Sequence, residues 1–131
     1  MVRTMANAQT VLIVEDDGVL RRALRRHLVG RDHHVLEAGG VREGLTMLET
    51  GRATVVLTDL CLSDGSGLTV ISAARAAGVD VLAMTATSHL PNEARGRGAL
   101  ACLPKPFPLA LLDEWLERLA ARSARSMGSS G

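Results

Sequence analysis

The amino-acid sequence predicts an α/β domain with a doubly wound, five-stranded parallel sheet, (βα)5, and helices on both faces. Two observations lead to this fold. Short apolar, β-branched stretches alternate with amphipathic stretches five times along the 131 residues, an order typical of βαβ units with right-handed crossovers. Four of the apolar stretches also run directly into a polar residue that a buried strand does not need, as strands do at the binding edge of an open α/β sheet.

The first half of the chain contains three predicted strands, at residues 11–14, 34–38 and 54–58. The first helix follows the first strand, with Asp17 as its N-cap and Gly30 as its end. Its apolar side is expected to contain Val19, Leu20, Ala23, Leu24 and Leu28, and its solvated side Arg21, Arg22, Arg25 and Arg26. A second helix, marked by Val41, Leu45 and Leu48, ends at Gly51.

The second half supplies two more strands, at residues 79–84 and 100–103. A third helix covers residues 67–77, and Pro91, Gly96 and Gly98 predict a short or irregular fourth helix within residues 88–98. The last helix begins near Pro108 and carries an apolar stripe from Leu111 to Leu119. We assign residues 10–122 to one domain, residues 1–9 to a flexible N-terminus, and residues 123–131 to a disordered tail or a truncated linker.

Composition excludes several classes of protein. The chain is 47% hydrophobic with one Trp, one Phe and no Tyr, so Leu, Val and Ala must form the core. A net charge of +1 provides no general attraction to nucleic acid. No apolar run approaches the roughly 20 residues of a membrane span. Cys61 and Cys102 lack metal-ligand spacing, which favours a reduced, cytosolic protein.

Polar residues follow four of the strands. They are Glu15, Asp16 and Asp17 after the first strand, Asp59 after the third, Thr85 after the fourth and Lys105 after the fifth. Because the carboxyl ends of parallel strands meet at one edge of the sheet, these side chains are expected to converge. Carboxylates at such an edge suit Mg²⁺, although a helix cap at Asp17 beside two solvated carboxylates explains the acidic run equally well.

Lys105 favours the interpretation of these strand-end residues as a functional site. The chain contains 15 basic residues, and Lys105 is the single lysine among them. A lysine in so arginine-rich a chain indicates that a compact point charge is needed at this position. Its ammonium could pair with a carboxylate or with a phosphoryl group placed on one.

The motifs Val11-Leu12-Ile13-Val14-Glu15-Asp16-Asp17, Thr58-Asp59-Leu60, Met84-Thr85-Ala86 and Pro104-Lys105-Pro106-Phe107 resemble the signature of bacterial two-component response regulator receiver domains. The resemblance extends over residues 10–122 and implies a flavodoxin-like strand order, 2-1-3-4-5. It also implies an Mg²⁺-dependent transfer of a phosphoryl group from phosphohistidine to Asp59. The implied Mg²⁺ ligands are Glu15, Asp16, Asp59 and the backbone carbonyl of Cys61. The implied phosphoryl-binding residues are Thr85, Ala86 and Lys105.

The partner implied by the resemblance is a sensor histidine kinase or a histidine phosphotransfer protein. Such a domain is not a conventional enzyme, because it catalyses only its own phosphorylation and slow dephosphorylation. We expect a cytoplasmic location, no direct binding of nucleic acid by this domain and no membrane contact. A homodimer through the fourth helix, fifth strand and fifth helix stays open, as does an output domain after residue 131.

Two positions depart from the family's pattern. Ser63 stands where proline is usual, which predicts a slightly looser loop after Asp59. In the implied switch, Thr85 acts together with Cys102, which replaces the usual aromatic residue and has no ring to swing. Cys102 and the irregular fourth helix favour a second interpretation: a receiver-like interaction module that binds its partner regardless of phosphorylation. The intact set of Asp59, Thr85 and Lys105 favours the phosphorylated switch.

Overall fold

Strands and helices alternate along the computed structural model, which describes residues 7–86 and 91–128. In chain order the strands are β1 (Thr10–Val14), β2 (His34–Ala38), β3 (Val55–Asp59), β4 (Cys61–Leu62), β5 (Gly65–Ser66), β6 (Asp80–Thr85) and β7 (Ala101–Pro104). Five of them form a parallel sheet in the order β2-β1-β3-β6-β7, and β4 and β5 form a separate antiparallel hairpin. The predicted fold class and strand order are therefore confirmed, while the hairpin was not predicted.

Helices cover both faces of the sheet. They are α1 (Gly18–Gly30), α2 (Val41–Glu49), α3 (Gly67–Ala76), α4 (Pro91–Gly96) and α5 (Leu109–Gly128). Residues of α1 and α5 pack in one apolar cluster, and residues of α2, α3 and α4 pack in the other. Alternate residues of β1 join opposite clusters: Val11 and Ile13 lie with α1 and α5, whereas Leu12 and Val14 lie on the other face. The fold is thus a three-layer α/β sandwich.

Helix α1 buries a narrower face than its sequence pattern predicts. Leu24 and Leu28 are buried and Leu20 is half-buried, so the inner positions are spaced by four residues. Val19 and Ala23, which we expected on the apolar side, are exposed; Val19 is 71% exposed. Each precedes an inner position by one residue, which turns it about 100° away from the core.

The structure differs from the prediction at the C-terminal end of the domain. Helix α5 continues through Gly128, so residues 123–128 are helical rather than disordered. Arg122 supports this extension, because its Nη2 donates a 2.6 Å hydrogen bond to Asp80 Oδ1 at the start of β6. At the other end, the backbone N–H of Gln9 donates a 2.9 Å hydrogen bond to His33 Nδ1. The remainder of the predicted flexible ends, residues 1–6 and 129–131, lies outside the described residues.

Helix α4 has six residues and is as short as its proline and glycines predict; residues 87–90 lie outside the described part. In the part of the chain that the structure describes, no helix has both the length and the apolar character needed to cross a membrane.

Candidate functional site

The register of the sheet brings the polar strand ends together. Val14 pairs with Thr58, which aligns the end of β1 with the end of β3. Asp59 pairs with Met84, and Thr85 pairs with Pro104, so β6 and β7 end at the same edge. The amide of Lys105 donates a 2.8 Å hydrogen bond to the carbonyl oxygen of Thr85. The carboxylates after β1 and β3, the Thr85 hydroxyl and the Lys105 ammonium therefore share one edge, as predicted.

A bifurcated ion pair lies at the centre of this edge. Lys105 Nζ is 2.7 Å from Asp59 Oδ2 and 2.8 Å from Glu15 Oε1. Glu15 is fully buried and Asp59 is 6% exposed, whereas the Lys105 side chain is 20% exposed. Two buried carboxylates would repel each other strongly without a cation between them. The lysine therefore provides the charge that makes this arrangement tolerable.

The same contacts shift the pKa of both partners. Burial raises the pKa of the Glu15 carboxyl, and the hydrogen bonds from Lys105 and from the Asp17 amide oppose the rise without cancelling it. For Lys105, burial lowers the pKa of the ammonium, but the hydrogen bonds and charges of Asp59 and Glu15 raise it further than burial lowers it. The ammonium thus stays charged at neutral pH and remains available to bind anionic oxygens.

Three carboxylates at this edge could hold a metal ion. Oxygen atoms of Glu15, Asp16 and Asp59 lie within 4.8 Å of one another. A donor set made of oxygen atoms alone, with room for water, fits Mg²⁺. Asp16 is exposed while the other two are buried, so the cluster is open to solvent on one side. The residues present therefore fit the ion that the sequence indicated.

The remaining predicted residues lie around this cluster. Thr85 is the last residue of β6 and is 4% exposed, and Ala86 follows it on the surface. The Cys61 amide donates a 3.1 Å hydrogen bond to Asp59 Oδ1, and the role of the Cys61 carbonyl stays a prediction. Cys102 lies in β7, half-buried against the cluster that includes α3 and α4. Its place in a switch is likewise still a prediction.

Two carboxylates hold the hairpin after Asp59 in place. Asp16 Oδ2 accepts a 2.9 Å hydrogen bond from the Ser63 amide. Asp64 accepts from the amides of Val41 and Arg42, at 2.8 and 3.1 Å, and so caps the first turn of α2. The structure thus shows hydrogen bonds that hold both residues of this turn, and the expectation that Ser63 loosens the loop stays a prediction. No local sequence pattern could indicate these hydrogen bonds, because Asp16 and Ser63 are 47 residues apart and Asp64 is 23 and 22 residues from Val41 and Arg42.

The Asp64 cap predicts an acid-sensitive contribution to stability. Hydrogen bonds from the Val41 and Arg42 amides lower the pKa of the Asp64 carboxyl. A lowered folded-state pKa adds stability above the unfolded value, and that stability is lost as pH falls through the folded value. We expect Asp64→Ala to lower the melting temperature at pH 7 and the difference from wild type to shrink under acid. Scanning calorimetry across pH measures this; exposed Glu114→Ala is the control, and a pH-independent difference would contradict the prediction.

Polar residues of α1 also proved to have specific partners. Arg21 was expected on a solvated face, but its Nη1 donates a 2.7 Å hydrogen bond to the Glu15 carbonyl and its Nε lies 3.3 Å from Glu37 Oε1. Arg21 therefore ties the loop that carries the acidic run to β2. His27 Nε2 lies 2.9 Å from Asp113 Oδ1 and joins α1 to α5. Its partner is 86 residues away, so no local pattern could have found it.

Comparison with known proteins gives a consistent result. A family model described as the response regulator receiver domain matches residues 11–117. Response regulator MprA from Mycolicibacterium vanbaalenii is 33% identical over 125 residues, which are 92% of this chain and 53% of that protein. The KDP operon transcriptional regulatory protein KdpE from Escherichia coli K12 is 36% identical over 115 residues, 86% and 51% of the two chains. The chain spans about half the length of these relatives.

Solved structures share the fold. The signal receiver domain of a putative Luxo repressor protein from Vibrio parahaemolyticus superposes with a TM-score of 0.84 at 21% identity, over 95% of this chain and 98% of that one. TrrA from Thermotoga maritima, a response regulator protein solved in complex with Mg(2+)-BeF, has a TM-score of 0.78 at 24% identity, over 85% and 98%. At these identities the likeness establishes the architecture alone.

Proposed function

Because the chain belongs to the response regulator receiver domain family, we propose that it accepts a phosphoryl group on Asp59 from the phosphohistidine of a sensor histidine kinase or a histidine phosphotransfer protein. The observation that carries this proposal is the nearly buried Asp59 carboxylate, held by the Lys105 ammonium beside two further carboxylates. Structural stability alone does not require this arrangement, since a buried ion pair is often no more stable than apolar residues of the same volume.

The transfer needs positioning and charge neutralisation more than covalent assistance. An oxygen of Asp59 attacks phosphorus, the bond between phosphorus and the donor's histidine nitrogen breaks, and that nitrogen keeps the electron pair. Lys105 lies close enough to Asp59 that its ammonium could bind the oxygens of a phosphoryl group placed on Asp59. The Thr85 hydroxyl and the Ala86 amide would bind those oxygens as well. Mg²⁺ held by Glu15, Asp16, Asp59 and the Cys61 carbonyl would supply further neutralisation of their charge.

The proposed output is a change in partner binding. Thr85 would move towards the phosphoryl group, and Cys102 would take the place of an aromatic switch residue. The domain itself binds no nucleic acid in this proposal, and it catalyses only its own phosphorylation and slow dephosphorylation. We propose that the domain is cytoplasmic, because it must meet the phosphohistidine of its donor there. Measurement of the oligomeric state would show whether the domain forms a homodimer through α4, β7 and α5.

A phosphorylation-independent interaction module is the second candidate. It is favoured by Cys102, which offers no ring to change rotamer, and by the short α4. Such a module would bind its partner equally well with and without phosphate. The first candidate therefore requires a chemically active Asp59, whereas the second does not.

Intact mass spectrometry tests the proposal directly. After incubation with Mg²⁺ and acetyl phosphate, wild type should gain the mass of one phosphoryl group and Asp59→Asn should gain none, because an amide oxygen is a far poorer nucleophile than a carboxylate. Asp80→Asn is the matched control: this aspartate lies at the opposite edge of the sheet, paired with Arg122, and the variant should be phosphorylated like wild type.

A wild-type chain that gains no mass and binds no Mg²⁺ would exclude the phosphoacceptor and leave the interaction module. Equal mass gain in wild type and Asp59→Asn would place the acceptor on another residue.

A further inference from the structure

The Asp16 carboxylate is the exposed member of the three that could hold a cation. Glu15 and Asp59 are buried and fixed by Lys105, whereas Asp16 lies on the loop after β1 with its side chain in solvent. Its Oδ2 accepts the 2.9 Å hydrogen bond from the Ser63 amide, across 47 residues of sequence. This contact links the loop after β1 to the β4–β5 hairpin, and so joins the two chain segments that border the cluster.

From this contact we infer that the Ser63 backbone amide is a positioning group that holds Asp16 ready to bind a divalent cation; the inference rests on the proposed function. A carboxylate has about four lone-pair positions, so one amide leaves the other positions free for a cation. Outer hydrogen bonds to metal ligands fix the ligand's orientation, and their loss typically weakens metal binding about tenfold or more. A cation that enters therefore finds the third carboxylate already oriented.

The residue at position 63 decides whether this contact can exist. Proline has no amide N–H and could not donate to Asp16. Serine at this position therefore permits a hydrogen bond that proline could not form. The contact uses only the backbone, so the serine hydroxyl is dispensable for it.

The backbone at this position should accept proline. Ser63 is the first of two residues that connect β4 to β5, a turn position where proline is common. Leu62 before it is extended in β4, the conformation that a following proline requires. Among the described non-glycine residues, positive φ occurs at Asp32, so the φ of Ser63 is on the negative side as proline needs. Ser63→Pro is therefore expected to remove the N–H and to keep the hairpin.

Isothermal titration of the full chain with Mg²⁺ tests the inference. Ser63→Ala keeps the amide and should bind Mg²⁺ with the wild-type Kd, whereas Ser63→Pro should bind about tenfold more weakly. Equal affinities of the two variants, or tighter binding by Ser63→Pro, would overturn the inference, since the amide would then be neutral or would compete with the cation. Thermal unfolding without Mg²⁺ verifies that both variants are folded.

Hydrogen exchange in the wild-type fold provides a measurement that does not depend on Ser63→Pro. The Ser63 amide should exchange slowly in wild type and faster in Asp16→Ala, while the Leu68 amide, bonded to Ser66 Oγ, should be unchanged. An unprotected Ser63 amide in wild type would refute the contact. The phosphorylation assay separates this inference from the proposed function. If wild type gains the phosphoryl mass but Ser63→Ala and Ser63→Pro bind Mg²⁺ with equal affinity, the positioning role of the Ser63 amide is rejected. Asp59 then remains the phosphoacceptor.

Discussion

Lys105→Met is expected to lower the free energy of unfolding by about 3 kcal/mol at neutral pH, in the range found when one partner of a buried ion pair is removed. The substitution removes the ammonium that lies within 2.8 Å of both Glu15 and Asp59. Both carboxylates stay buried, one fully and the other at 6% exposure, and among the described residues neither has another ion-pair partner. Urea denaturation of the chain in EDTA measures the loss. Arg26→Met, which removes an exposed charge of the same sign, should change stability very little.

A second substitution shows whether the loss arises from unpaired carboxylates. Adding Asp59→Asn to Lys105→Met removes one of the two facing charges, so we expect the double variant to be more stable than Lys105→Met alone. The two substitutions then combine non-additively, as residues in direct contact do. An additive result, or a stability of Lys105→Met equal to wild type, would mean that the ammonium is not needed to neutralise the pair.

Gly67→Ala is the second substitution with a large expected effect. A Cβ at this position would overlap the carbonyl oxygen of Asp59 and lie 2.9 Å from Leu60 Cα. Both are backbone atoms, which cannot rotate away as a side chain can. Gly67 opens α3, and its amide donates a 2.9 Å hydrogen bond to the Leu60 carbonyl, so the hairpin must shift away from Asp59. We expect a loss of about 3 kcal/mol, at the upper end for overpacking.

Thermal and urea unfolding measure the effect of Gly67→Ala, and its phosphorylation by acetyl phosphate should fall together with its stability. Gly30→Ala is the matched control, because a Cβ there meets no atom within 4 Å. This control should equal wild type or be slightly more stable, since alanine is the better helix former. A Gly67→Ala chain as stable as Gly30→Ala would mean that the turn has room which the structure does not show.

Features of the fold with local determinants were predictable from the sequence. The β2 strand was predicted with its observed bounds, His34–Ala38. Asp17 was predicted as the cap of α1, and its Oδ1 accepts from the amides of Val19 and Leu20. Such features depend on a few neighbouring residues, and their periodicity and side-chain chemistry can be read directly.

Features that depend on a residue distant in sequence were not predicted. The hydrogen bond from the Ser63 amide to Asp16 was not predicted, because the two residues are 47 positions apart. Arg21 was assigned to a solvated face, yet its guanidinium bridges the Glu15 carbonyl and Glu37. Residues 123–128 resembled a tail, yet they continue α5 beyond the Arg122 contact with Asp80. For Arg21, contacts between separate elements outweighed the local pattern.

The sequence by itself determined the fold class and the identity of the residues at the strand ends, because apolar stretches and the polar residues that follow them are contiguous in sequence. The strand order came from the family resemblance. Only the tertiary structure decided how those residues pair. It placed Lys105 between Asp59 and Glu15, joined Asp16 to Ser63, and anchored the hairpin to α2 through Asp64. These contacts depend on distances of a few ångströms between atoms that the chain brings together only when strand register and helix packing are complete.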